Sequence, residues 1–258
     1  MKKKLLASVA ILAFASPLAA HAADLPVAPA YKAPAYAPAP VITWTGCYLG
    51  GHAGGAWAKV DMTDVGNAAG FAFAAAGTAG QTFSATNSAF FGGGQVGCNY
   101  QTGPLVFGIE GDLGWMGIKA SALDPHTASN TTVGIGNGLY GDVTGRLGFA
   151  AGPALFYAKG GWAFYNGRET FSTTSAAFIS NSDVSTFNGY AVGGGIEYRF
   201  APNWSAKVEY LHFGFASQTF NVLATGGTFP FNEKLNIDTV KVGVNYLFNW
   251  GGPVVARY

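Results

Sequence analysis

The chain has 258 residues, of which 49% are hydrophobic, 15% aromatic and only 10% charged, with 38 glycines and a formal net charge of +1. A charge set this sparse and balanced excludes a basic nucleic-acid-binding surface, and this much glycine disfavours a helical protein. Past the N-terminus no apolar run is long enough for a transmembrane helix, so any membrane crossing falls to strands.

Residues 1–22 read as an export signal. Lys2, Lys3 and Lys4 form the basic start, Leu5 to Leu18 the apolar core, and Ala20-His21-Ala22 a small-x-small cleavage site. Cleavage after Ala22 removes three lysines and takes the formal charge from +1 to −2. Residues 23–43 follow as a linker, in which Pro26, Pro29, Pro34, Pro38 and Pro40 favour an extended chain poor in hydrogen bonds. Tyr31, Lys32 and Tyr36 give it groups able to touch a partner such as peptidoglycan, although a solvated spacer accounts for the same composition.

From residue 44 the sequence predicts eight strands, at 44–57, 89–100, 104–115, 139–149, 154–165, 188–200, 203–213 and 239–248. Six of these alternate strictly. In 105–115 the odd positions are Leu105, Phe107, Ile109, Gly111, Leu113 and Trp115, with Glu110 and Asp112 between them. In 190–200 the even positions are Tyr190, Val192, Gly194, Ile196, Tyr198 and Phe200, with Glu197 and Arg199 between. A side-chain period of two makes each a strand with one greasy and one polar face. The polar faces carry Glu110, Asp112, Asp142, Glu197 and Glu209 against Arg146, Lys159, Arg199, Lys207 and Lys241. In a soluble periplasmic β-sandwich such a face would meet bulk water. A lipid-embedded barrel, apolar outside and polar inside, fits this neutral set better.

The connections alternate in length. Gln101-Thr102-Gly103, Ala150-Ala151-Gly152-Pro153 and Ala201-Pro202 are short, whereas 58–88, 116–138, 166–187 and 214–238 are long. Within the first long loop Phe71 to Ala76 resembles a helix or ninth strand, but glycines 66, 70, 77 and 80 argue for irregular loop. Short periplasmic turns and long extracellular loops define an all-β, eight-stranded antiparallel transmembrane barrel spanning 44–248, followed by a tail at 249–258. Its setting is the cell outer membrane, reached by secretion. Its partners there are outer-membrane lipid, lipopolysaccharide and the barrel-assembly machinery, with no nucleic acid.

The interior of eight strands is filled by side chains, and buried charges are costly unless paired. The ten lumen charges therefore predict a paired plug, with a charge-lined pore or proton path as the other reading. Folding about Pro202 sets Glu197 opposite Lys207, and the forked guanidinium of Arg146 suits Glu110 or Asp112 on the neighbouring strand. Tyr48, His52, Gln95, Thr144, Tyr157 and Asn245 add hydrogen-bonding groups. Cys47 and Cys98 fall on outward faces near the periplasmic ends of adjacent strands. Pairing them also sets Trp57 opposite Ser88, and an oxidising compartment favours a bridge over two free thiols.

Trp44-Thr45-Gly46-Cys47-Tyr48-Leu49-Gly50-Gly51, Gly92-Gly93-Gly94-Gln95-Val96-Gly97, Phe107-Gly108-Ile109-Glu110-Gly111-Asp112, Gly145-Arg146-Leu147-Gly148 and Val242-Gly243-Val244-Asn245-Tyr246-Leu247-Phe248 together resemble the small porin-like outer-membrane β-barrel family of alphaproteobacteria. These proteins share the barrel type of the OmpA transmembrane domain. The resemblance implies an abundant, non-enzymatic surface protein supporting envelope integrity; some members are described as porins and some as haemin binders. Many members carry an aromatic residue where Cys47 and Cys98 stand, so the resemblance does not itself imply a bridge. The terminal aromatic assembly signal of the family falls on Phe248 or Tyr258.

An enzyme needs a nucleophile beside a base and an orienting partner. After the signal only His52, His126 and His212 remain, none with a nucleophile motif, so no catalytic, cofactor or metal site is expected. A small-solute channel and loop-mediated haemin binding stand as the alternatives to a plugged barrel.

Overall fold

The computed structural model describes residues 42–65, 80, 82–123, 132–172, 181–224 and 227–248. The export signal, nearly all of the 23–43 linker, Phe71 to Ala76, His126 and the tail with Tyr258 lie outside the described residues. The described residues form ten strands: β1 (Gly46–Asp64), β2 (Thr82–Thr102), β3 (Leu105–Met116), β4 (Ala120–Leu123), β5 (Thr132–Ala151), β6 (Ala154–Ser172), β7 (Asn181–Ala201), β8 (Trp204–Phe215), β9 (Gln218–Ala224) and β10 (Gly227–Phe248).

These make eight staves. The order β1-β2-β3-β5-β6-β7-β8-β10 is hydrogen-bonded throughout, and β10 returns to β1 to close the ring. Short β4 pairs with β5 beyond the end of β3, and β9 pairs with β10 beyond the end of β8, so the third and seventh staves are interrupted. Every pairing is antiparallel, and closure leaves no open edge for lipid to meet. Gly103 and Gly152 hold φ of 57° and 60° in two of the short turns, a left-handed conformation that glycine adopts without steric cost.

Six strands are far longer than the 10–14 residues expected from sequence: β1, β2, β5, β6, β7 and β10 each run to 19 residues or more, while β3 and β8 keep about the expected length. The reason is a reversal of polarity at constant phase. Along β1 the outward row reads Leu49, Gly51, Ala53, Gly55, Trp57, then turns polar as Lys59, Asp61 and Thr63. The inward row holds Tyr48 and His52, then turns apolar as Ala56, Ala58, Val60 and Met62. β10 repeats this from the other end: Val244, Val242 and Val240 outside give way to Asp238, Asn236 and Lys234, while inside Asn245 and Lys241 give way to Ile237 and Leu235. On β6 the outward change comes after Trp162 and Phe164, with Asn166, Arg168 and Thr170 beyond them. The staves thus leave the bilayer at a belt of Trp57, Trp115, Trp162, Tyr190 and Tyr210 and continue as a water-bathed barrel with an apolar filling.

Cys47 and Cys98 face each other across β1 and β2 and are joined by a disulfide, with Trp57 opposite Ser88 in the same register. Closing a loop with a sequence separation of 51 is worth roughly 4 kcal/mol in loop-closure entropy. The purified protein should therefore weigh two hydrogens less than the dithiol and resist alkylation until reduced; two freely alkylated cysteines would contradict the pairing. Spin labels at Phe107, Ile109, Trp162, Ile196, Val208, Val242 and Val244, all on the outer face, should be relaxed by oxygen and shielded from water-soluble quenchers. Labels at Lys59, Asn236 and Arg168, on the same outward rows, should show the opposite preference.

Candidate functional site

The lumen is filled in three tiers. At the periplasmic mouth Trp44, Tyr48, Val106, Leu155, Tyr157 and Leu247 form an apolar cluster, with Trp44 fully buried. The Trp44 backbone N–H donates to Gln101 Oε1 at 2.7 Å, and Arg199 Nη1 donates to the Thr43 carbonyl at 2.6 Å. The Arg199 guanidinium lies 5.5 Å from the Trp44 ring centre. Trp44, the residue that follows the linker, therefore turns into the barrel and covers its mouth, while Ile42 and Thr43 stay exposed.

Above the cork sits a charged tier. The Lys159 ammonium donates to Glu110 Oε1 at 2.6 Å, Asp112 Oδ2 at 2.9 Å and Glu209 Oε1 at 3.3 Å. Lys207 donates to both oxygens of Glu110 at 2.9 Å, and Lys241 lies 2.9 Å from Asp112 Oδ2 and 2.8 Å from Glu209 Oε1. Asp142 is held more loosely, 3.8 Å from Lys159, with a 3.4 Å bond from Thr144. Arg146 donates to Glu197 Oε2 at 2.5 Å and stacks 3.5 Å over the Tyr157 ring. Tyr48 donates to Glu110 at 2.6 Å and Tyr157 to Glu209 at 2.7 Å. All these side chains are buried.

A chain of neutral donors completes this tier. Gln95 Nε2 donates to Asn245 Oδ1 at 2.7 Å, which turns the Gln95 carbonyl toward His52 Nδ1 at 2.5 Å. His52 Nδ1 must then carry the proton, and His52 Nε2 accepts from the Tyr140 hydroxyl. Asn245 Nδ2 in turn donates to Glu197 Oε1 at 2.8 Å, beside the Ser205 hydroxyl at 2.5 Å. The Gln95–Asn245 bond passes over Gly50, the cross-strand partner of both. A Cβ at position 50 would collide with Asn245 Oδ1 and the Val244 carbonyl, and lie 2.7 Å from Gln95 Nε2.

Three details depart from the sequence reading. Glu197 and Lys207 are opposite in register, but their ionic bonds go elsewhere, Glu197 to Arg146 and Lys207 to Glu110. Both side chains are long enough to reach across the lumen, so register alone does not select the partner. Arg146 does pair with Glu110, as expected, at 4.0 Å, but its short bond is with Glu197. Arg199 lies at the mouth and not among the central charges. Glu110, Asp112 and Glu209 each place an oxygen within 4.8 Å of the others, spacing that suits a cation, and the Lys159 ammonium bonds all three.

The third tier is apolar and was not anticipated. Val60, Met62, Phe91, Met116, Ile118, Val133, Ile135, Tyr165, Phe187, Phe213, Leu235 and Ile237 belong to one buried cluster that fills the extracellular half. His212 lies on the outer face, where its Nδ1 is 2.8 Å from Asp238 Oδ1, an oxygen that also accepts from the Tyr210 hydroxyl at 2.7 Å.

A closed antiparallel ring with lipid-facing aromatics and a packed interior defines an outer-membrane β-barrel protein. The profile of the outer membrane protein β-barrel domain family matches residues 10–248, and the chain belongs to that family. It is 31% identical to the 31 kDa outer-membrane immunogenic protein of Brucella melitensis over 96% of this chain and 100% of that one. It is 32% identical to the 22 kDa outer membrane protein of Rhizobium leguminosarum bv. viciae over 60% of this chain and 66% of that one. Solved structures it is similar to include the outer membrane protein OprG of Pseudomonas aeruginosa, with a TM-score of 0.43 at 11% identity over 79% of this chain and 97% of that one. Neisserial surface protein A aligns over 79% and 98% with a TM-score of 0.38 at 12% identity.

Removing one member of a buried pair strands the other, at a cost of about 3–5 kcal/mol. Arg146→Met should lower unfolding stability by that order, and adding Glu197→Gln should restore part of the loss. The coupling read from the cycle should exceed that between Glu197→Gln and Lys207→Met. Strictly additive losses for Arg146 and Glu197 would mean that the two are separately solvated.

Proposed function

We propose that this protein is a non-enzymatic surface barrel that supports envelope integrity, its lumen closed and its loops displayed outward. The observation that carries this reading is the succession of three unlike seals along one lumen: the Trp44 cork, the ion-paired tier and the apolar filling. An ion crossing would have to displace an aromatic plug, separate paired charges at several kcal/mol each, and then enter a hydrocarbon-like interior. Proton conduction fares no better. The hydrogen-bond chain from Tyr140 through His52 passes into the amides of Gln95 and Asn245, which do not readily hand a proton on.

The name of the Brucella relative marks that protein as immunogenic, which agrees with display at the cell surface. In this reading the outward apolar rows contact outer-membrane lipid. Lys59, Lys234 and Lys119 above the belt face the headgroups of lipopolysaccharide. The barrel-assembly machinery inserts the ring, and any peptidoglycan contact belongs to the linker.

Planar-bilayer recording decides between plug and channel. Wild-type protein should pass little or only intermittent current, and a strain lacking it should become more sensitive to detergent and bile salts. A large, steady, ohmic conductance would assign the protein to the small-solute channels instead.

A further inference from the structure

Two acids lie inside the ring where the filling is otherwise apolar. Glu169 on β6 and Glu233 on β10 are 3% and 0% exposed. Glu169 is seven residues past Trp162 of the outer aromatic belt, and Glu233 five past Asp238, the cross-strand partner of Trp57, so both stand above the bilayer. β6 and β10 are not neighbours in the ring, yet the two buried carboxyls meet across the lumen, and the Ser185 hydroxyl bonds Glu169.

The charges around them offer no counter-ion among the described residues. On β7, Asp183 is opposite Glu169 in register and adds a like charge. On β5 and β1 the cross-strand partners are Ile135 and Met62, and on β9 Gln218 is opposite Glu233 but donates to the Thr186 carbonyl. Lys59 and Asp61 on β1 point outward and pair at 3.1 Å; Lys234 points outward from β10, and Arg168 points outward from β6 and bonds Ser182. Two ionised carboxylates have no hydrogen to share, and both oxygens of Glu233 are buried with no donor group bonded to them. The contact becomes a bond only when the pair holds a proton.

We propose that Glu169 and Glu233 form a proton lock: one shared proton ties the upper ends of β6 and β10 across the lumen, and its loss releases the apolar cap. Burial, and then the neighbouring Glu169 charge, push Glu233 up to about 8, and burial also raises Glu169. In an open, hydrated cap both acids return to the usual carboxylate range near 4.3. The closed cap therefore binds the proton more tightly than the open one. Closure is strongest below the usual range, weakens as pH rises toward about 8, and levels off above it. This goes beyond the plugged-barrel reading, since it concerns the tier above the ion pairs.

Hydrogen–deuterium exchange on the full barrel in lipid nanodiscs, from pH 5 to 9.5 and corrected for the intrinsic pH dependence of exchange, tests the lock. In wild type the opening equilibrium of the upper halves of β6 and β10 should rise at least tenfold between pH 5 and 8 and then level, with β3 unchanged. The double variant Glu169→Gln with Glu233→Gln should flatten the response, and Glu233→Gln alone should leave only the smaller response of the buried Glu169. Should the Gln variants not assemble, Glu169→Leu with Glu233→Leu keeps the cap apolar with no acid left and should be flat. A flat wild-type profile, or the same rise in the double variant, would overturn the proposal. Conductance recorded over the same pH series keeps the two ideas apart, because steady current at every pH defeats the plug whether or not the cap responds to protons.

Discussion

One lysine ammonium surrounded by three carboxylates organises the middle of this barrel. Lys159 comes from β6, Glu110 and Asp112 from β3, and Glu209 from β8, so a single charge joins three staves that are not neighbours. Lys241 brings in β10, Arg146 and Glu197 add β5 and β7, and Gln95, Asn245 and His52 tie β2 and β1 to the same set. Each of these groups loses several kcal/mol of hydration on burial, and mutual attraction in a low dielectric offsets that loss only if the geometry is good. The arrangement therefore adds less to stability than its bond count suggests. Its stronger effect is on register. A slip of one residue would turn every charge on a stave into lipid, so the network admits one alignment of the ring.

That constraint explains the tiers above and below. A charged tier open to water at both ends would be a hydrated channel in which the pairs are screened and weak. Trp44 at one end and the Val60–Met62–Leu235–Ile237 filling at the other bury the pairs between them, which is the condition under which they hold. In return the charged tier accounts for the polar side chains that the lipid-embedded half carries inside. The apolar filling lies where the outer face has already become polar, so above the belt the barrel is an ordinary water-bathed β-structure packed from within. One fold thus uses two opposite solvent rules along the same strands.

Legibility in the sequence followed this division. Within the bilayer the period of two, the aromatic positions and the phase of the charges reveal the staves, the facing of Cys47 and Cys98, and the opposition of Glu197 and Lys207. Above the belt the period persists in Ala58, Val60 and Met62 against Lys59, Asp61 and Thr63, but a search for apolar-outward rows discards it because the polarity is reversed. Partner choice was harder to read. Glu197 bonds Arg146 across the lumen because long side chains in a narrow ring reach non-neighbours, and no linear register encodes that. Arg199 shares its phase with the lumen charges, yet it is only one residue from the short turn, which puts it at the mouth beside Trp44. Glu169 and Glu233 carried no local signal at all. Each is a lone acid on an inward row, and their meeting exists only once the ring has closed.

Closure itself depends on a seam that the network is built to support. β1 and β10 come from opposite ends of the barrel sequence, and nothing local brings them together. Their backbone pairing would tolerate several alignments, since Gly50, Gly51, Gly54 and Gly55 offer few distinguishing side chains on β1. Gly50 resolves this by being empty. It lets Gln95 of β2 and Asn245 of β10 bond directly over β1, so the seam is read by two side chains that straddle it. The Cys47–Cys98 bridge holds β1 against β2 one turn of the pleat below, which keeps Gln95 in place for Asn245 to find. The smooth, glycine-rich first stave is in this sense a spacer of fixed width. The alignment of the ring is settled by the residues on either side of it.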